Sequence, residues 1–148
     1  MTVVYKLLLY LHILSAIISI GPFFALIPLV NKMRGAEIIE QNAYVVIFRT
    51  AIRLAKHAGH VLVATGILLV YAGSWSWKSS WIIITVLILL SSLFFLARAF
   101  SPKLRKLNEP DQDKGRIIGL LRRSIWIYLA LLLIMLGFMV MKPDLWQP

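Results

Sequence analysis

Residues 81–100 read WIIITVLILLSSLFFLARAF, with Arg98 the only charge among them. Wound as an α-helix at about 1.5 Å per residue, this run matches the ~30 Å hydrocarbon core of a bilayer. Three further stretches share its character: His57–Tyr71 and Val3–Val30 before it, and Ile125–Met141 after it. The second in chain order reaches spanning length once its helix starts a turn or two ahead of His57. Spans at approximately 3–30, 52–73, 81–100 and 124–141 use up most of a 148-residue chain. The expectation is an all-α, integral membrane four-helix bundle, a single domain over residues 1–148.

The composition agrees. The chain is 60% hydrophobic, against about 45–50% apolar residues in soluble domains. It carries 16 Lys+Arg against 6 Asp+Glu, for a net charge of +10. In a soluble protein that balance suggests nucleic acid. Here the basic residues flank apolar spans, so the partner they imply is the anionic surface of a lipid bilayer, and nucleic acid is excluded. There is no cysteine, which removes disulfides, thiolate metal sites, iron–sulfur clusters and covalent c-type haem. The first span lacks a basic leader and a small-x-small cleavage site, and it is longer than a signal peptide core. It reads as a retained span.

Charge also predicts orientation. Lys32, Arg34, Arg49, Arg53 and Lys56 lie between the first two spans. Arg98, Lys103, Arg105, Lys106, Lys114, Arg116, Arg122 and Arg123 lie around and after the end of the third. The opposite side holds only Lys6, Lys78 and Lys142. The positive-inside rule then places both basic loops in the cytoplasm and both termini outside. Trp75, Trp77, Trp81 and Trp146 fall on the outer side, where indoles favour the headgroup level. Gly21-Pro22 and Pro28 predict a kink in span one. Arg49, Arg53 and Lys56 fall at helical spacing, so span two is expected to begin in the cytoplasm, with a separate surface helix as the alternative. The segment Ser101–Arg123, with its polar centre at 108–113, is expected to be an exposed loop. Gly59, Gly66 and Gly73 stand one heptad apart on span two. Such a stripe admits a neighbouring helix, with a groove for a flat ligand as the second reading.

No carboxylate lies within a span: Glu37, Glu40, Glu109, Asp111, Asp113 and Asp144 are all in loops or the tail. Carboxylate-driven proton carriers and acidic cation filters are thereby disfavoured. Away from the basic residues near the span ends, the groups within spans that could ligate a metal are three histidines. Counting 1.5 Å per residue from the outer boundary, His12 is about 14 Å deep, His60 about 20 Å and His57 about 24 Å. Neutral imidazole binds haem iron well. His12 and His60 are therefore expected to meet across one b-type haem, with His57 nearer the cytoplasm and Arg53 and Lys56 beside the propionates. The plainer alternative for each histidine is a hydrogen bond to a neighbouring carbonyl. Met135 and Met139 are four apart on span four, where packing is the first reading and a thioether ligand the second.

Span one reads Tyr10-Leu11-His12-Ile13-Leu14-Ser15-Ala16, then Ile20-Gly21-Pro22-Phe23-Phe24 and Pro28. The last span closes on Val140-Met141-Lys142-Pro143. This pattern resembles small four-span bacterial inner-membrane proteins: the HemJ-type protoporphyrinogen oxidases, the CopD-like copper-resistance domains and allied families of unknown function. The resemblance implies a helical membrane bundle and a b-type haem with the span-one histidine, His12, as ligand. In HemJ-type members it also implies oxidation of protoporphyrinogen. The chain departs from those members in spans three and four, which hold no histidine, so haem binding rather than porphyrinogen oxidation is what transfers.

The functional expectation is a b-type haem-binding membrane protein in electron transfer or haem metabolism, and a membrane oxidoreductase if it turns over substrate. Its electron partner would be quinone, a porphyrin or a respiratory-complex subunit, met as a homo- or hetero-oligomer or alone. The competing reading is a haem-free accessory or scaffold subunit that acts by helix packing.

Overall fold

The computed structural model describes residues 2–146, and every regular element among them is helical. Helix α1 covers Val3–Lys32 and ends in a 3-10 turn, Met33–Gly35. Helix α2 covers Ile38–Ala72, α3 Ser80–Ala99, α4 Ser101–Leu107 and α5 Lys114–Met141. Thr2 caps α1 by accepting from the Tyr5 amide at 3.3 Å, and Asp113 caps α5 by accepting from the Arg116 amide at 3.2 Å. These are orphan donors that a helix start must satisfy. Helix α1 runs as one element through Pro22 and Pro28, each of which removes one helical donor.

Helix α2 is continuous over 35 residues, about 52 Å at the usual rise. That exceeds a bilayer core, so its charged first part projects beyond the apolar slab, as the sequence suggests. The expected loop 101–123 is largely helix. Phe100 interrupts the α3 direction, Pro102 starts α4, and α5 begins at Lys114, well ahead of residue 124. The arginines and lysines that mark a loop by charge are also good helix formers, so they extend helices into the aqueous layer. Only 108–113 remains as a turn.

Four helices are long and apolar enough to cross a membrane. Only 33–39% of each spanning window is buried within the bundle. The remainder presents large apolar side chains outward, such as Leu7, Ile17, Leu87, Phe94 and Ile134, each more than half exposed. An apolar surface this extensive needs lipid around it. The molecule is an integral membrane four-helix bundle.

Helices α1 and α2 form one antiparallel pair, and α3 and α5 the other. Contact of α1 with α5 and a sparser contact of α2 with α3 close the ring, leaving α1 and α3 on the diagonal. The packing is uneven along the bundle axis. At the basic end, Phe23, Phe100 and Tyr128 interlock, with Phe23 4.4 Å from Tyr128 and 5.6 Å from Phe100 between ring centroids. Leu26, Val30, Phe48, Leu96, Leu104 and Leu121 complete a close-packed core around them. Polar ties brace that end: the Lys103 ammonium donates to Ser124 Oγ at 2.6 Å, and that of Lys114 to Gln41 Oε1 at 3.1 Å. The tryptophan end, which holds the α2–α3 hairpin and the C-terminal tail, is looser. No residue of α1 before Ser15 is buried.

Candidate functional site

The loose end holds a partly open cavity of about 780 Å³ between the two helix pairs, within the size range of small-molecule and cofactor pockets. Its walls are aliphatic: Leu9, Ile13 and Ile20 from α1, Leu62 and Val63 from α2, Ile82 and Leu89 from α3, Leu136 from α5. Against this background its few polar groups stand out.

His12 lines the cavity. Its Nδ1 lies 3.0 Å from Thr65 Oγ1 on α2. The Thr65 hydroxyl also lies 2.8 Å from the Val61 carbonyl and 3.1 Å from that of Leu62. Those carbonyls take the single hydroxyl proton, so Oγ1 accepts from Nδ1–H of the imidazole. The network thus assigns the Nδ1–H tautomer and leaves Nε2 with its lone pair and without a hydrogen bond. One turn along α2 from Leu62, Gly66 makes room for the ring: a Cβ there would lie 3.2 Å from His12 Cε1. The other stripe glycines do different work. Gly59 lets Leu93 of α3 approach, since a Cβ there would lie 2.7 Å from Leu93 Cδ2, and Gly73 sits beneath Trp75.

Thr85 lies on the opposite wall, on α3. Its residue is 6% exposed, and its Oγ1 is the one buried side-chain oxygen or nitrogen without a hydrogen-bond partner among the described residues. Other hydroxyls in the helices bond a carbonyl of the preceding turn, as Ser15 does to Leu11, Thr50 to Val46 and Ser92 to Leu89. An unmet buried hydroxyl costs about 1–3 kcal/mol, and lipid offers it nothing. Thr85 is among the residues lining the cavity, with its Oγ1 closed to solvent. The two polar groups stand at similar depth. At 1.5 Å per residue, Thr65 beside His12 is about 10 Å from the end of α2, and Thr85 is about 7.5 Å from the start of α3.

The rim is aromatic and basic. Tyr5, Trp75, Trp77, Trp81 and Lys142 line it. Trp75 meets Trp81 edge to face at 5.5 Å, and the Lys142 ammonium lies 4.4 Å from the Trp75 ring centroid and 5.5 Å from that of Trp81.

The other expected site residues are elsewhere. His57, His60, Arg53 and Lys56 are exposed on α2, and none lines the cavity. Within one chain the His12–His60 pairing across a single ring does not form. The expectation matched depths but not directions: His60 precedes Thr65 by five residues, about 140° around the helix, and so faces away from the side that meets α1. Arg53 and Lys56 lie toward the basic end, beyond the cavity. Met135 is buried in the core, while Met139 lines the cavity. Among the described residues no three His, Asp or Glu cluster as metal ligands. A site for a bare metal ion is not built here. A macrocycle that brings its own four donors needs less from the protein. One neutral imidazole with its second nitrogen anchored, apolar walls and a cation at the rim meet that need. Thr65 and Thr85 were missed from the sequence, since a hydroxyl facing the span-one histidine carries no motif; Gly66 was singled out within the glycine stripe, with a groove for a flat ligand as the second reading, but not as the residue that faces His12.

No family model matches this sequence, and no curated protein and no solved structure matches it either.

Proposed function

We propose that this protein binds one b-type haem in the cavity at its tryptophan end, with His12 Nε2 as the protein's iron ligand. The observation that carries the proposal is the anchoring of Nδ1–H on Thr65, which fixes the tautomer and orientation used by metal-ligating histidines. Gly66 lets the imidazole sit flush against α2. The aliphatic walls exclude water, and Lys142 at the rim is the cation available to a propionate. When bound, haem supplies a one-electron couple whose potential is set by ligand type and burial. In this reading the chain orients and insulates the group, and electrons pass to quinone, a porphyrin or a respiratory-complex subunit. The proposed setting is the bacterial plasma membrane, with both termini and the cavity rim outside.

The test is an absorption spectrum of protein purified in detergent from haem-replete cells. A Soret band is expected, lost or strongly shifted in His12→Ala and retained in His57→Ala and His60→Ala. A Soret band indifferent to His12→Ala would overturn the assignment of the ligand. A colourless protein would leave the packing of α2 through Gly59 as the ruling feature, and with it an accessory subunit of a larger membrane complex.

A further inference from the structure

Helix α5 ends in an unusual way. Lys142 adopts a left-handed backbone, φ 45° and ψ 53°, and its amide donates to the Phe138 carbonyl at 3.0 Å. Helix ends of this kind favour glycine, with asparagine next, because a Cβ is strained there. A lysine at this position needs a reason outside the helix. The following residues are pinned to the start of α3: Ser80 Oγ donates to the Pro143 carbonyl at 2.8 Å and accepts from the Leu145 amide at 2.9 Å. The strained turn and this latch together carry the ammonium onto the Trp75 and Trp81 rings, at the edge of the cavity. Stacking on indole faces holds a cation in place without consuming its N–H donors in directed bonds. The side chain is exposed, so those donors are open to a ligand.

We propose that Lys142, held over Trp75 and Trp81, is the receptor for a carboxylate on an amphipathic ligand whose apolar body fills the cavity. The inference rests on the cavity being the ligand site, but not on iron. Carboxylates of this kind come from two sources, a porphyrin or a free fatty acid. The wide cavity, with a hydroxyl and an imidazole on facing walls, favours the porphyrin.

The test uses metal-free protoporphyrin IX, whose fluorescence reports binding to the detergent-purified full chain, beside its dimethyl ester. The free acid should bind the natural protein about tenfold more tightly than the ester, the weight of one charge-assisted hydrogen bond. That preference should vanish in Lys142→Asn, which suits the left-handed turn but lacks the charge, and persist in Lys142→Arg. Lys142→Gly separates function from structure: the variant should melt at a higher temperature than the natural protein and still lose the preference. Palmitate is the competitor for the second source. Displacement by palmitate but not by methyl palmitate supports the same receptor with an acyl ligand, and displacement by neither supports the porphyrin. Equal binding of acid and ester by the natural protein, or a preference surviving Lys142→Asn, would overturn the proposal. His12→Ala should keep the preference for the metal-free acid even if it abolishes the haem spectrum, so the two proposals fail separately.

Discussion

At the scale of single residues, the site depends on two small groups beside one imidazole, with a third on the facing wall. Thr65 fixes the tautomer, so Thr65→Val should leave His12 in place without the hydroxyl that orients it. Loss of such an outer partner typically weakens metal binding about 10–100-fold. Haem titration of the purified variant should show weaker loading with a shifted Soret band, and unchanged loading would remove Thr65 from the site. Gly66→Ala puts a methyl group 3.2 Å from His12 Cε1 and should also lower loading. Gly59→Ala meets only the flexible end of Leu93 at 2.7 Å and should bind haem normally. Thr85→Val should stabilise the ligand-free protein by about 1–3 kcal/mol, the cost of the hydroxyl it removes, as read by thermal unfolding in detergent. No gain there would mean that the hydroxyl is satisfied without a ligand. His12 was legible in the sequence because a charged or titratable group inside an apolar run is conspicuous. Thr65 and Thr85 were not, because their placement depends on how the helices are rotated against each other; Gly66 stood out in the glycine stripe, but not as the residue facing His12.

At the scale of elements, apolar length alone located all four spanning helices, and the turn-rich residues at 108–113 located the connection before α5. Two features were hidden by the same property. Ser101 through Arg123 looked like loop because charge is excluded from the hydrocarbon. Yet charge is no obstacle to a helix that continues past it, and α4 and the start of α5 do so. The His12–His60 pairing failed for the complementary reason: rise per residue gives depth, but direction repeats every 3.6 residues, and a five-residue offset turns a side chain nearly to the far side. The packing that sets the bundle's geometry lies at the break between α3 and α4. Phe100 is fully buried there and shares its contacts with Phe23 and Tyr128. Phe23→Ala should therefore cost about 3–5 kcal/mol. The loss should appear in thermal unfolding of the ligand-free protein, because Phe23 lies outside the cavity lining.

At the scale of the whole molecule, the bundle has two unlike ends, and the division of labour follows the charge. The basic end is close-packed, and the opposite end is open, ringed by indoles and carries the single rim lysine. In the proposed orientation the packed end is cytoplasmic and the cavity rim external, and a ligand would enter from the outer leaflet or the space beyond it. The chain itself provides a direct check, because it contains no cysteine and any thiol introduced is a unique label. Ser76 lies in the exposed hairpin between α2 and α3, and Gln112 in the exposed turn between α4 and α5, so neither substitution disturbs a packed element. In intact spheroplasts, Ser76→Cys should react with a membrane-impermeant maleimide, and Gln112→Cys should react only after the membrane is opened. The reverse pattern would place the cavity on the cytoplasmic side. Thirteen basic side chains would then have crossed the membrane against their preference, with the carboxylate receptor at Lys142 facing the cell interior.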